Sequence, residues 1–232
     1  MTLKAKKSTS LIALISFLSI LLVITFLAIY YFLSKPGREA AERLPIFQPT
    51  DVNEKLVDST VQYIKKYHTI ANFKLVNQNG DTITQKNYDG KIYVADFFFT
   101  TCPGICPIMT ANMADIQKEI LNNNHVMLLS HSVTPVQDSV PQLKKYAIEK
   151  GVNDSKWNLV TGDKKQIYAL ARKSYLAAES DGDGGPYDMV HTENFVLVDT
   201  KKRIRGFYDG TKKEDIQKLL IDIKKLEKEE FE

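Results

Sequence analysis

The chain has 232 residues, 44% of them hydrophobic and 25% charged, with a formal net charge of +3. That balance excludes a disordered or low-complexity polymer and fits one globular domain with something added to it. Lysines are interleaved with acids along the whole length and are not gathered into a basic stripe, so no nucleic-acid partner is expected.

The addition is at the front. Ser10 to Leu33 reads SLIALISFLSILLVITFLAIYYFL without a charge, and about 20 apolar residues in a helix are enough to cross the hydrocarbon core of a bilayer. Lys4, Lys6 and Lys7 precede it; basic residues are retained on the cytoplasmic side, so the C-terminal part is expected on the opposite side. A cleaved signal peptide has a shorter apolar core, about 7–15 residues, and a small-residue cleavage site, so an uncleaved single-pass anchor is the reading adopted. No cysteine stands directly after the apolar run, so a lipid-modified N-terminus is not expected. Three lysines, no arginine before the span and no amphipathic presequence favour a bacterial plasma membrane, with the domain on the periplasmic side. These features divide the chain into a cytoplasmic N-terminus (1–9), an anchor (10–33), a proline-containing linker (34–52) and a folded domain (53–232).

In the folded part, FKLV and TITQ flank NQNGD, and Asn-Gly between two strand-like runs predicts a β-hairpin. KIYVADFFFT is nearly continuous in apolar residues, as in a strand buried on both faces. Residues 107–122 carry Ile108, Met109, Met113, Ile116 and Ile120 at helical spacing. HVMLLSHSV predicts a second buried strand, SVPQLKKYAIEK a helix closed by Gly151, and WNLVTG a short strand. DKKQIYALARKSY predicts a helix with Asp163 as N-cap. AAESDGDGGPYDM is a loop; TENFVLVDTKKRIRGFYDG gives two strands with a tight turn near Thr200 to Lys202, and TKKEDIQKLLIDIKKLEKE a terminal amphipathic helix. The order predicts an α/β domain with a mixed sheet.

The only two cysteines, Cys102 and Cys106, sit in FFFTTCPGICPIMT at a strand-to-helix junction. In a helix beginning near Pro103 they would lie on one face a turn apart, and the helix N-terminus would make both easy to ionise. Four uses are open: a structural disulfide, an exchanging dithiol, a catalytic thiol and a metal clamp. A bridge closing so short a loop would constrain the unfolded chain little. Two thiolates suit a soft ion such as Cu(I), zinc or an iron–sulfur cluster, while structural zinc wants four ligands, which would require histidines. Of the four histidines, His68, His125 and His131 read as structural, whereas His191 opens a buried strand after the Gly-rich loop. Met189 and Asp188 are soft and hard neighbours of it. A thiol peroxidase would need a threonine or arginine to polarise peroxide; Thr100 and Thr101 are nearby, but the sequence positions no arginine there.

TTCPGICP at 100–107, SVTPVQD at 132–138 and HTENFVLVD at 191–199 together resemble the Sco/SenC family of copper-binding assembly factors for cytochrome c oxidase. The resemblance covers roughly Phe73 to Lys225 and implies a thioredoxin-like fold with an added N-terminal β-hairpin, preceded here by one transmembrane helix. It implies that Cys102, Cys106 and His191 hold one copper ion, as Cu(I) or Cu(II). Its implied function is a metallochaperone, not an enzyme, that supports assembly of the copper centre of the oxidase. The implied partners are the copper-receiving oxidase subunit, other copper chaperones or thiol reductants, and the membrane. Thr134 and Gly104 stand where the family usually has Asp; neither position is a ligand in the pattern. The alternative on the same fold is a thiol–disulfide oxidoreductase using Cys102 and Cys106 to keep the oxidase copper-site cysteines reduced. Three residues between the thiols, where the thioredoxin-type motif has two, weigh against it.

Overall fold

A computed structural model describes residues 3–179, 182, 185 and 187–232, the side chains of 3–13 and 34–42 excepted. The expected Gly-rich loop therefore lies partly outside the described residues, at 180, 181, 183, 184 and 186. The chain forms two compact units, one up to Arg43 and the other Leu44–Glu232.

The first unit is a single helix, α1 (Leu3–Glu42), whose Leu14–Leu33 stretch is long and apolar enough to cross a membrane and has every side chain exposed. Helix continues past the apolar run and through Pro36 into residues expected as linker, where REAAER supplies strong helix formers.

The second unit is built on a seven-stranded sheet. Its strands are β1 (Lys74–Asn77), β2 (Thr82–Thr84), β3 (Ile92–Phe98), β4 (Val126–Ser132), β5 (Trp157–Thr161), β6 (Asn194–Val198) and β7 (Ile204–Asp209). Their order across the sheet is β2-β1-β5-β4-β3-β6-β7. β3, β4 and β5 are parallel neighbours; every other pairing is antiparallel. The β1–β2 hairpin forms where Asn-Gly predicts it, with Gly80 at φ +85°, a left-handed conformation that glycine adopts without a steric penalty. Helices α2 (Cys106–Glu119), α3 (Val140–Lys150), α4 (Lys164–Ala169) and α5 (Lys213–Phe231) complete the unit. The Asp163 carboxylate caps α4 by accepting from Gln166 N at 2.7 Å, and Gly151 at φ +69° closes α3. α4 runs on into a π-helical turn, Leu170–Ser174.

All seven residues of β3 are buried, and their alternation divides the interior in two. Ile92, Val94 and Phe98 face a core shared with Met109 and Met113 of α2, Leu143 of α3 and Leu219 and Ile223 of α5. Tyr93, Ala95 and Phe97 face a second core with Leu75, Leu129, Ile167, Tyr168 and Tyr175. Each such side chain taken out of water stabilises the fold by about 1.5–3 kcal/mol. A double-sided core fixes the direction and end of β3, and the thiols lie just beyond that end.

The entering segment is bound to the sheet. Phe47 bridges to Ile204, and Arg205, 3% exposed, donates to the carbonyls of Leu44 at 2.7 Å and Pro45 at 3.0 Å. The same guanidinium meets Asp199, Glu229 and Glu230, joining β7 and the end of α5.

Candidate metal centre

β3 ends at Phe98 and the chain turns at once, with Cys102 N–H donating to the Phe99 carbonyl at 3.3 Å. α2 then starts at Cys106, not near Pro103 as expected, so Cys102 belongs to the turn before the helix. Pro103 keeps Cys102 itself out of the helix, because a proline disfavours helical backbone in the residue before it. The thiols are nonetheless brought together: they hydrogen-bond to each other, and both are buried, at 9% and 4% exposure.

The expectation that both ionise easily is corrected. Burial pushes the Cys102 thiol up, but the Cys106 thiol and the backbone N–H groups of Cys106, Gly104 and Ile105 all donate to it, and the net shift is downward. Cys106 is pushed up to about 12, first by burial and then because its proton is the one given to Cys102. Of the two thiols, Cys102 is therefore the one that gives up its proton more readily, because the backbone N–H groups favour charge on its sulfur.

His191 stands between the loop and β6, exposed, with its ring edge-on to Phe99 at 5.7 Å. Among the described residues no three His, Cys, Asp or Glu side chains are grouped closely enough to hold a metal. The fold thus pairs the thiols and leaves the imidazole against the turn that carries the first of them. The remaining histidines are engaged elsewhere: His68 Nε2 lies 2.8 Å from the Ser174 carbonyl, His125 packs on Phe231 at 4.0 Å, and His131 is fully buried. The Asp188 carboxylate is gripped by both terminal nitrogens of Arg172 at 2.6 and 2.7 Å, which removes it as a free hard ligand. Met189 is 39% exposed, its sulfur 4.0 Å from the Tyr168 hydroxyl.

Two carboxylates not singled out in the sequence belong to this region. Asp96, 2% exposed on β3, is pushed up to about 7 by burial, against a hydrogen bond from Ser130 that lowers it. Ser130 Oγ in turn accepts from Trp157 Nε1 at 2.8 Å. Asp138, 0% exposed, closes the loop after β4 and accepts from Thr100 Oγ1 at 2.6 Å. The sequence signal for Asp96 was present, a single acid within an otherwise apolar strand. For Asp138, only the closure of the loop reveals the partner.

A mixed sheet with helices on both faces and a buried thiol pair where a central strand meets a helix defines a thioredoxin-like protein, here with a β-hairpin added ahead of the central strands. Residues 61–228 match the SCO1/SenC family model, and the chain belongs to that family, the Sco family of cytochrome c oxidase assembly proteins. It is 31% identical over 159 residues to the SCO1 protein homolog of Bacillus subtilis, covering 68% of this chain and 82% of that one. A SCO1/SenC family lipoprotein of Bacillus anthracis has a similar structure, with TM-score 0.61 and 31% identity over 68% of this chain and 95% of that one. ScoI of Arabidopsis thaliana, solved with copper bound, aligns at TM-score 0.52 and 26% identity over 68% of this chain and 98% of that one.

Proposed function

We propose that this chain is a membrane-anchored copper chaperone in which Cys102, Cys106 and His191 hold one copper ion for delivery to the copper-receiving subunit of cytochrome c oxidase. The observation that carries the reading is the pair of free, buried thiols held together where β3 meets α2, the first shifted down by its partner thiol and by backbone N–H groups. Soft sulfur donors with an imidazole suit copper in either oxidation state. Two thiolates leave Cu(I) with a single negative charge, and a histidine on an exposed, loop-flanked position completes a low-coordinate site from which copper can leave by ligand exchange. The copper-bound relative from Arabidopsis thaliana supports the cargo. Residues 10–33 anchor the chain, and the folded unit from Leu44 onward carries copper on the periplasmic side of a bacterial plasma membrane, receiving it from other copper chaperones, with thiol reductants as further partners.

The test is titration with Cu(I) under reducing conditions, for the parent and for His191→Ala. Binding of one copper per chain that weakens in the variant is expected; unchanged binding would remove His191 from the ligand set.

A second reading is favoured by the unequal thiols, since dithiol exchange uses one nucleophilic and one resolving cysteine. In it, the Cys102 thiolate attacks a target disulfide, forming a mixed disulfide and releasing one target thiolate. Cys106, losing its proton, then attacks the Cys102 sulfur and releases the second, so the target is reduced and Cys102–Cys106 is oxidised. His191→Ala keeps this exchange and Cys102→Ser loses it, which separates the two readings in one assay with a peptide disulfide.

A further inference from the structure

We propose that Asp138 is a positioning residue for the metal centre, acting through Thr100 to set the turn that carries Cys102; this rests on the copper-chaperone reading above. Thr100 lies two residues before Cys102, and its hydroxyl donates to Asp138 Oδ1 at 2.6 Å. Its backbone N–H is shared between the two carboxylate oxygens at 3.4 and 3.2 Å. The same hydroxyl accepts from Gln142 Nε2 of α3 at 3.0 Å, so both its donor and an acceptor position are used.

The other side of the carboxylate holds the loop after β4. Ser132 Oγ donates to Oδ2 at 2.6 Å and Thr134 Oγ1 at 3.0 Å, while Asp138 N–H returns to the Thr134 carbonyl at 2.9 Å. Val133 N–H donates to the Phe98 carbonyl at 2.9 Å, so the ends of β3 and β4 are locked at the level of the turn. Four donor groups converge on one carboxylate with no exposed surface, an arrangement of charge-assisted hydrogen bonds that has one geometry only.

The consequence runs forward along the chain. Thr100 is flanked by Phe99, whose ring supports His191 and whose carbonyl receives Cys102 N–H. Fixing Thr100 fixes both neighbours, and with them the separation between the imidazole and the first sulfur. Asp138 touches neither, so it orients ligands in the way hydrogen-bonded partners orient metal ligands elsewhere, where their loss typically costs 10–100-fold in affinity.

The test compares Thr100→Val, Thr100→Ser and Asp138→Asn with the parent, in the full chain in detergent. Three readouts are used: Cu(I) affinity, the thiolate-to-Cu(II) absorption band, and the alkylation rate of Cys102 in metal-free protein. Thr100→Val and Asp138→Asn are expected to weaken Cu(I) by about tenfold, to shift the absorption band and to speed alkylation as the buried sulfur opens. Thr100→Ser, which keeps the hydroxyl, restores all three, and the Thr100→Val, Asp138→Asn double variant is no worse than either single one. Unchanged band and alkylation in folded Thr100→Val would overturn the proposal, as would a loss in Thr100→Ser equal to that in Thr100→Val. If Asp138→Asn does not fold, the two Thr100 variants decide alone. Should the parent bind no copper, the chaperone reading falls, while alkylation still shows whether Asp138 and Thr100 hold the Cys102 turn.

Discussion

The imidazole of His191 stands edge-on to the ring of Phe99, centroids 5.7 Å apart and planes at 89°. Phe99 and Cys102 close one turn through a backbone hydrogen bond, so imidazole and sulfur are referred to the same short stretch of chain although 89 residues separate them in sequence.

Because His191 is exposed, its replacement by alanine should leave stability within about 0.5 kcal/mol of the parent. Copper affinity should fall by about tenfold or more, since a direct ligand counts for at least as much as its hydrogen-bonded supports. Thermal melts and chelator competition on the same samples measure both; a large loss of stability would show that the ring contact with Phe99 is structural.

The thiols should react unequally. With Cys102 shifted down and Cys106 pushed up to about 12, iodoacetamide at neutral pH should modify Cys102 first, as read by peptide mass spectrometry. Cys106→Ala removes the side-chain donor to Cys102 and should move its alkylation midpoint to higher pH; an unmoved midpoint would mean that the backbone N–H groups alone lower it.

Two buried groups give stability opposite pH slopes. Burial holds His131 down to about 4 in the folded protein, so between there and the unfolded value near 6.5 the unfolded chain binds more protons and stability falls as pH falls. Asp96 is raised to about 7, so the folded protein binds more protons above the unfolded value of 3.8 and stability falls as pH rises towards 7. At 1.36 kcal/mol per pH unit the full effects are about 3 and about 4 kcal/mol, and they oppose one another across most of their range. Urea midpoints from pH 4.5 to 7.5 should therefore climb more steeply with pH in Asp96→Asn than in the parent, and decline relative to the parent in His131→Gln. Parallel curves for all three proteins would refute the assignment.

Arg205 is the counter-ion for a cluster of three carboxylates, with Asp199 fully buried. Arg205→Ala strands them and also frees the carbonyls of Leu44 and Pro45, a loss of about 3–5 kcal/mol. Denaturant unfolding measures it; a loss under 1 kcal/mol would mean that Arg203, which also meets Asp199 and Glu230, takes over the charge.

Most of the architecture was legible because local patterns and tertiary packing agree. Asn79-Gly80 makes its hairpin, the apolar run 92–98 is buried on both faces, and Asp163 and Gly151 bound their helices where their chemistry predicts. The thiol pair was legible as a pair, but its asymmetry was not, because it depends on which sulfur the amides of residues 104–106 reach. Asp188 read only as a hard neighbour of His191 in the loop; its pairing with Arg172 of the π-helical turn is a meeting across 16 residues that no spacing rule anticipates. Asp138 was visible as a motif letter only; what it does depends on Thr100, 38 residues earlier and two strand ends away.

Trp157, the only tryptophan in the chain and 1% exposed, donates to Ser130, and Ser130 hydrogen-bonds the Asp96 carboxyl that shares a core with the thiols. One hydroxyl therefore connects an indole to a carboxyl that burial pushes up to about 7. Tryptophan emission followed against pH is therefore expected to report the charge of Asp96, beneath the sulfurs, without any label being introduced.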